Sequence, residues 1–178
     1  MNTSVAMARA RAEVPPNIEE SGPEGDAVRA AFGRLMCEIN VPQFCCGGLN
    51  FGYFYERSPI VVYDGEAAPP YTMYDFTPST VPGCRVPHVW LRDGRSLYDA
   101  LGPWFTVLRF DASVPVASLA AAAAHRGLPL AVLDVDAQGA DTLYPHKLLL
   151  ARPDQHVAWR GDAVPDNPLA LVDRVRGA

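Results

Sequence analysis

The chain has 178 residues, 49% of them hydrophobic and 20% charged, so a domain of ordinary size can bury a sizeable core. This balance excludes a wholly disordered protein. The net charge is −5 and the pI about 5.3. Lysine and arginine are scattered singly, which argues against binding to nucleic acid or to an anionic membrane.

The sequence shows no targeting or membrane segment. Residues 1–11 lack the apolar stretch of a signal peptide. The longest apolar run, residues 116–124, is interrupted by Ser118 and closed by His125, far short of the roughly 20 residues of a membrane span. We therefore expect a cytoplasmic protein.

The cysteines give no sign of a disulfide framework or a zinc site. Cys37, Cys45, Cys46 and Cys84 form no CxxC pair and lack the spacing of zinc ligands. We interpret them as reduced thiols in a reducing compartment. A strained disulfide between the adjacent Cys45 and Cys46 is the alternative.

The chain divides into three parts. Residues 1–25 are polar, contain three prolines and are predicted to form a flexible arm. Residues 26–83 are predicted to hold a linker helix, an aromatic strand and, over residues 67–83, a proline-rich connector. Residues 84–178 have the regular pattern of a folded domain.

The linker helix is predicted over residues 26–39. Ser21 and Glu24 fit a capping box before it, and Pro42 follows its end. Apolar residues recur within it at helical spacing, namely at Val28, Phe32, Leu35, Met36 and Ile39. Since this stripe is too apolar to face water alone, we expect it to pack on the main domain or on a partner.

An extended strand is predicted within residues 49–63. Aromatic and β-branched residues dominate this stretch, and the pattern breaks near Ser58 and Pro59.

The last part of the chain alternates strands and helices. Two buried strands joined by a crossover helix predict a parallel pair, and a following hairpin adds antiparallel strands. This order predicts an α/β fold, a thioredoxin-like mixed sheet with flanking helices. The predicted strands are at residues 88–91, 105–110, 128–135, 147–152 and 156–160. The predicted helices follow the capping residues Ser96, Ser113 and Asn167.

Three runs of this sequence resemble one enzyme family. Residues 82–110 (PGCRVPHVWLRDGRSLYDALGPWFTVLRF) resemble the start of the C-terminal domain of class A FAD-dependent aromatic hydroxylases, the phenol-hydroxylase-like and polyketide-hydroxylase-like monooxygenases. Residues 148–162 (LLLARPDQHVAWRGD) resemble the closing hairpin of that domain, and residues 51–65 (FGYFYERSPIVVYDG) the strand before it. Together with the linker helix, the resemblance covers nearly everything after about residue 20.

One residue departs from the family pattern. Gln155 stands where such hairpins usually carry glycine. We therefore expect the hairpin turn to be of another type or to be strained.

The resemblance implies FAD and NADPH as cofactors of the full-length enzymes. A GxGxxG turn with Asp-Gly and Gly-Asp motifs would hold them. The glycine-rich cluster at residues 45–52 lacks that spacing, so no cofactor is expected within this chain. In such enzymes the C-terminal domain is expected to provide scaffolding, shielding and subunit contacts.

The residues offer little chemistry of their own. A thioredoxin-like fold does redox work with a CxxC at the start of its first long helix, but residues 111–114 read Asp-Ala-Ser-Val and hold no sulfur. The four histidines are dispersed, so no metal site is expected. No catalytic residue is predicted.

An aromatic cluster is the remaining candidate site. Tyr53, Tyr55, His88 and Trp90 are proposed as a candidate ligand pocket for an aromatic small molecule. The favoured interpretation is packing between the aromatic strand and the proline-rich connector. A surface shaped for an absent partner is a further alternative.

Three functional hypotheses follow. The first is a redox-inactive structural or interaction module that forms a homodimer or joins a flavin-domain protein partner. The second is a small flavin-free enzyme or binding protein for an aromatic, polyketide-like ligand. The third is a fragment of a full monooxygenase.

Overall fold

The computed structural model describes residues 13–178, so the first twelve residues of the predicted arm lie outside the described residues. Helices α1 (Pro23–Phe44) and α2 (Gly47–Phe51) come first, and a long irregular stretch follows them. The remaining helices and strands follow in chain order: α3 (Leu97–Ala100), β1 (Phe105–Arg109), α4 (Ala117–His125), β2 (Leu130–Asp134), α5 (Ala140–Leu143), β3 (Leu148–Ala151), β4 (Val157–Gly161) and α6 (Pro168–Arg176).

The four strands form one mixed sheet in the order β2-β1-β3-β4. Strands β1 and β2 are parallel, with Val107 opposite Val132, and α4 makes the crossover between them. Strands β3 and β4 form an antiparallel hairpin that joins the sheet where Val107 lies opposite Leu150. This is the thioredoxin-like arrangement that the sequence predicts. The strand predicted at residues 88–91 is wrong, because Trp90 and Leu91 form only isolated bridges outside the sheet.

Each face of the sheet carries its own hydrophobic core. Side chains alternate between the faces along a strand, so Val107 and Leu150 point towards α4 and α6, whereas Leu108 and Leu149 point the other way. The second face is covered by residues 86–101, α5 and Tyr144. Burying each such leucine contributes about 1.5–3 kcal/mol, and these paired cores hold the sheet between its two layers.

Helix α1 differs from its prediction at both ends. It begins after Gly22, whose φ is +97°, with Pro23 in the first turn and no capping bond from a side chain. Proline suits that turn because its missing N–H would have had no partner there. At the other end the helix runs past Pro42 to Phe44. A proline so near the end removes one helical hydrogen bond without breaking the turns before it.

The predicted strand within residues 49–63 is wrong. Residues 49–51 belong to α2, and residues 52–63 form no strand. The Val62 N–H donates to the Ala158 carbonyl in β4 at 2.8 Å, and Val61 is fully buried. Single backbone bonds and the buried Val61 side chain therefore hold this stretch against the sheet, without a strand ladder.

A buried arginine fastens this irregular stretch to the sheet. The Arg160 side chain in β4 is only 2% exposed. Its Nε donates to the Asp64 carboxylate at 2.7 Å, and one terminal nitrogen donates to the Thr80 hydroxyl at 2.9 Å. Its other terminal nitrogen donates to the Glu66 carboxylate. Because a buried guanidinium without partners is strongly unfavourable, these contacts tie all three partners to β4.

Residues 61–86, which we call the strap, also bond to β4 through the backbone. The Gly83 N–H donates to the Val157 carbonyl at 2.8 Å, and the Val157 N–H donates to the Cys84 carbonyl at 2.9 Å. A β-bulge leaves Ala158 without a partner in β3, so its carbonyl can accept from the strap. Only glycine fits at position 83, because its φ is +98° and a Cβ would lie 2.3 Å from the Tyr55 carbonyl oxygen.

The Asp64→Asn variant tests how much the Arg160 contacts stabilise the fold. Burial alone would raise the pKa of Asp64, but hydrogen bonds from Arg160 and the Glu66 N–H hold it below its ordinary value. Removing this charge leaves Arg160 undercompensated, so we expect the free energy of unfolding to fall by about 2 kcal/mol at neutral pH in urea titrations. A depressed folded-state pKa stabilises only above the unfolded value, so the difference should shrink below about pH 4.

The control is Asp136→Asn, which removes the partner of Arg92 in an exposed pair whose side chains are 73% and 70% exposed. Such pairs contribute about 0–1 kcal/mol. Equal losses in the two variants would contradict a special role for the buried arginine.

Candidate functional site

The loop after β1, where a thioredoxin-like fold would carry its thiols, is organised around a carboxylate. Asp111 accepts hydrogen bonds from the Ser113 hydroxyl at 2.6 Å and the Ser113 N–H at 2.9 Å, and Lys147 lies 3.0 Å away. Bonds from Ser113, then from Lys147, lower the pKa of Asp111 to about 2. Helix α4 starts only at Ala117, so the prediction that Ser113 caps it is wrong.

The cysteine thiols lie outside the loop after β1. All four cysteines are free thiols. Cys84 is buried within the strap, and this burial raises the pKa of its thiol, which makes it a poor nucleophile.

Two further kinds of site are missing from the described part of the chain. Within residues 13–178 no three acidic, histidine or cysteine side chains come together as metal ligands. None of the helices in that range has the length and apolar character needed to cross a membrane.

Tyr53 and Tyr55 form the first half of the aromatic site. Their rings meet edge to face with centroids 5.5 Å apart, and the His156 ring lies 5.0 Å from Tyr55. The Arg152 guanidinium sits 5.1 Å from the centre of the Tyr55 ring. The Tyr55 hydroxyl donates to the Asp154 carboxylate at 3.2 Å. These contacts hold Tyr55 in one orientation.

The charges around Tyr55 fix which groups carry protons. Burial opposes ionisation of Asp154, but hydrogen bonds from His156 and Arg152 hold its pKa well below the ordinary value. Burial and the nearby Asp154 charge raise the pKa of Tyr55. At neutral pH the site therefore presents an ionised carboxylate and a protonated phenol, an arrangement suited to orienting a ligand.

The two tyrosines open onto a shallow groove of about 740 Å³. Tyr53 and Tyr71 are 58% and 50% exposed, so their rings face solvent. The groove is lined by Tyr53, Phe54, Tyr55, Glu56, Arg57, Ser58 and Tyr71.

His88 and Trp90 form a second pair in a different groove. Their rings meet edge to face at 4.9 Å, and the Tyr98 ring lies 5.4 Å from His88. The His88 Nε2 is 2.9 Å from the hydroxyl of Ser96, which caps α3. This groove, about 580 Å³, is also lined by residues next to α5. The four predicted pocket residues thus line two grooves rather than one.

Arg85 in the strap connects the two pairs. Its guanidinium lies between the rings of Phe51 and Tyr98, 5.2 and 4.9 Å from their centres. It donates to the Gln155 side-chain oxygen at 2.7 Å, and its backbone forms a β-bridge with His156. Side-chain contacts therefore run from Trp90 to Arg85, and the bridge between Arg85 and His156 joins them to the Tyr53 and Tyr55 pair.

Sequence reasoning missed the polar side chains among these contacts. It assigned His156 no role beyond that of one dispersed histidine, yet its side chain is only 14% exposed and meets Tyr55. The other polar side chains gave no local signal, because the rings that they meet are distant in sequence: Phe51 and Tyr98 for Arg85, and Tyr55 for Arg152 and Asp154. For Arg152 and His156, which flank the hairpin turn, the alternation of the predicted hairpin strands is the one pattern from which their direction could have been found.

The hairpin turn is strained, as expected from its departure from the family pattern. Gln155 has a φ of +65°, in the left-handed region that favours glycine. Its carbonyl accepts from the Val86 N–H at 2.9 Å, and its side chain holds Arg85.

Helix α1 carries an apolar stripe that is half-buried at most of its positions and open to solvent at Leu35. The α1 stripe, made of Val28, Phe32, Leu35, Met36 and Ile39, contains no fully buried side chain, and Leu35 is 43% exposed. Within residues 13–178, α1 makes no extensive contact with another helix or strand. The Arg29 guanidinium holds its first turns to the Ile18 and Glu20 carbonyls at 2.8 and 2.7 Å.

Comparison with known proteins gives consistent matches. Residues 79–177 match the family model described as aromatic-ring hydroxylase, C-terminal. Phenol 2-monooxygenase of Pseudomonas sp. (strain EST1001) is 33% identical over 179 residues, covering 89% of this chain and 29% of that protein. The tetracenomycin B2 monooxygenase-dioxygenase of Streptomyces olivaceus is 39% identical over 137 residues, covering 70% of this chain and 25% of that protein.

Solved structures show the same relation. RebC with bound 7-carboxy-K252c superimposes with a TM-score of 0.78 and 35% identity, covering 98% of this chain and 34% of RebC. The flavin-dependent monooxygenase PieE, in complex with FAD and substrate, gives a TM-score of 0.69 and 29% identity over 89% of this chain. The chain spans about a third or less of the length of each of these relatives.

Proposed function

The chain belongs to the family of aromatic-ring hydroxylase C-terminal domains, and we propose that it acts as a redox-inactive module that docks on the flavin-binding part of an aromatic-ring monooxygenase. The incompletely buried α1 stripe, with Leu35 43% exposed, is the observation that carries this proposal. The module contributes structure and contacts, while flavin chemistry belongs to the partner region. A cytoplasmic location is part of the same proposal.

The extent of the structural match to RebC supports docking through α1. The likeness to RebC includes 98% of this chain, so it includes α1, and about two thirds of RebC lies beyond it. A helix with an apolar stripe exposed to water is stable only when another surface covers that stripe. We assign the flavin-binding region, which makes up the rest of such relatives, as the occupant.

The loop after β1 supports a redox-inactive module. A thiolate at the start of α4 would be the electron carrier in this fold, and Asp111 with its Ser113 and Lys147 contacts stands there instead. Cys84 is buried and its thiol pKa is raised. A carboxylate takes no part in disulfide exchange, and a buried thiol with a raised pKa exchanges disulfides slowly.

The groove beside Tyr53 favours a second candidate function, binding of a planar aromatic ligand. Its volume of about 740 Å³ falls in the range of small-molecule sites. Tyr55 lines the groove and its hydroxyl is held by the bond to the Asp154 carboxylate, so a bound ring would meet a phenol of fixed orientation. The names of several relatives refer to aromatic substrates, which makes this class of ligand reasonable.

Redox inactivity is tested with the purified chain. We expect no reduction of insulin disulfides by dithiothreitol beyond the uncatalysed rate, because no thiol lies at the start of α4. We also expect added FAD to keep its free fluorescence. Thioredoxin serves as the positive control for the first assay. Turnover or stoichiometric flavin binding would refute the proposal.

Docking is tested in a chimera that carries this chain in place of the matching C-terminal part of the Streptomyces olivaceus enzyme. Leu35→Glu should place a charge in the contact and lower the melting temperature of the chimera by about 5 °C. Ala30→Glu, on the exposed side of α1 away from the stripe, should change it little. In the isolated chain neither variant should matter. Docking through the stripe would be contradicted if both variants lowered the melting temperature of the chimera equally. It would also be contradicted if Leu35→Glu lowered the melting temperature of the isolated chain as much as that of the chimera.

Ligand binding is tested by titration with alizarin, a hydroxylated tricyclic aromatic compound followed by its visible absorbance. We expect Tyr53→Leu to weaken binding by about two- to tenfold, since a ring contact contributes about 0.5–1.5 kcal/mol. Tyr74→Leu is the matched control, because Tyr74 is 48% exposed and does not line the groove. Absence of binding below about 1 mM, or equal losses in both variants, would remove this candidate.

A further inference from the structure

The two edges of the sheet are treated differently. The strap closes the outer edge of β4 with backbone bonds from Val62 and Gly83. Strand β2, at the other edge, pairs with β1 alone among the described strands. Val132 at its centre is 41% exposed. An edge strand with free backbone groups is a template for another strand.

The register of β2 shows which backbone groups face outward. The Val135 N–H donates to the Arg109 carbonyl in β1 at 2.9 Å, so residue 135 points towards β1. Because direction alternates along a strand, Ala131 and Leu133 also point towards β1. The N–H and C=O groups of Leu130, Val132 and Asp134 therefore point away from the sheet.

The open stretch has defined limits. Pro129 precedes it and carries no N–H. At the other end the Arg92 N–H donates to the Asp136 carbonyl at 2.9 Å, which closes the edge there. Residues 130–134 are thus the length of edge that can accept a strand.

We propose that β2 pairs with β2 of a second copy of this chain, antiparallel about a two-fold axis at Val132. In this register Val132 faces Val132 of the other copy, and Leu130 faces Asp134 at both ends. All three outward residues then form hydrogen-bonded pairs, about six backbone bonds in total. The result is one continuous sheet running through both copies.

The charges at this edge suit such a pairing. Edge strands in monomers usually carry lysine, proline or a bulge that prevents pairing, and β2 contains none of these. Its one charge, Asp134, is neutralised within its own chain by a bidentate contact with Arg109 at 2.5 and 2.9 Å. Two copies can therefore approach without bringing two unpaired carboxylates together.

The small area of the β2–β2 contact limits the affinity of the dimer. A stable dimer buries about 800 Å² of surface on each partner, and five paired residues bury much less. We therefore expect a weak dimer with a Kd of about 100 µM. This surface is separate from the α1 stripe, and the inference does not depend on the proposed docking.

The test combines sedimentation velocity of the full chain, up to about 1 mM, with amide hydrogen exchange. We expect dimer formation to slow exchange at Leu130, Val132 and Asp134. Val132→Pro removes one outward N–H without touching a bond to β1, and should raise the Kd at least tenfold. Val132→Thr keeps the N–H and the branched shape, and should stay within twofold of the unmodified protein.

Two results would overturn the proposal. One is a strict monomer over the whole concentration range. The other is a dimer in which the three amides exchange as fast as in dilute protein, whatever the variants do. The exchange measurement uses the unmodified chain, so it decides the matter even if Val132→Pro unfolds. A dimer abolished by Leu35→Glu instead would assign association to the α1 stripe.

Discussion

The buried guanidinium of Arg160 determines how the irregular half of the chain joins the sheet. It is almost fully removed from water, so it requires Asp64, Thr80 and Glu66 around it. Those partners bring the strap against β4, and the backbone bonds of Gly83 and Cys84 then form along the same edge. The position of Tyr55, and with it the aromatic groove, follows from this contact, because the Tyr55 N–H donates to the Gly83 carbonyl at 3.0 Å.

The sheet layer could be predicted because its signals are local. The buried run of β1, the turn residues of the hairpin and the Asn167 cap of α6 each lie within a few residues of the element they define. The strand predicted within residues 49–63 failed for the opposite reason. Its composition reflects side chains that pack against the strap and the hairpin, and composition alone does not distinguish such packing from a strand ladder.

The candidate site was predictable only in part. Neighbours in sequence, Tyr53 with Tyr55 and His88 with Trp90, are neighbours in space. Their separation into two grooves depends on Arg85, whose partner Gln155 is 70 positions away. The Arg160 contacts span 80 to 96 positions. No periodicity in the sequence reports pairs at such a distance, because they arise only once the sheet has formed.

Gln155 gives the hairpin tip a role beyond reversing the chain. A side-chain-bearing residue in the left-handed region costs about 1 kcal/mol relative to glycine. Two hydrogen bonds offset this strain: the Gln155 side-chain oxygen accepts from Arg85, and the Gln155 carbonyl accepts from the Val86 N–H. A slip of the hairpin by a single residue would therefore release both grooves at once. The two aromatic surfaces stay in a fixed relation to each other only as long as this turn keeps its register.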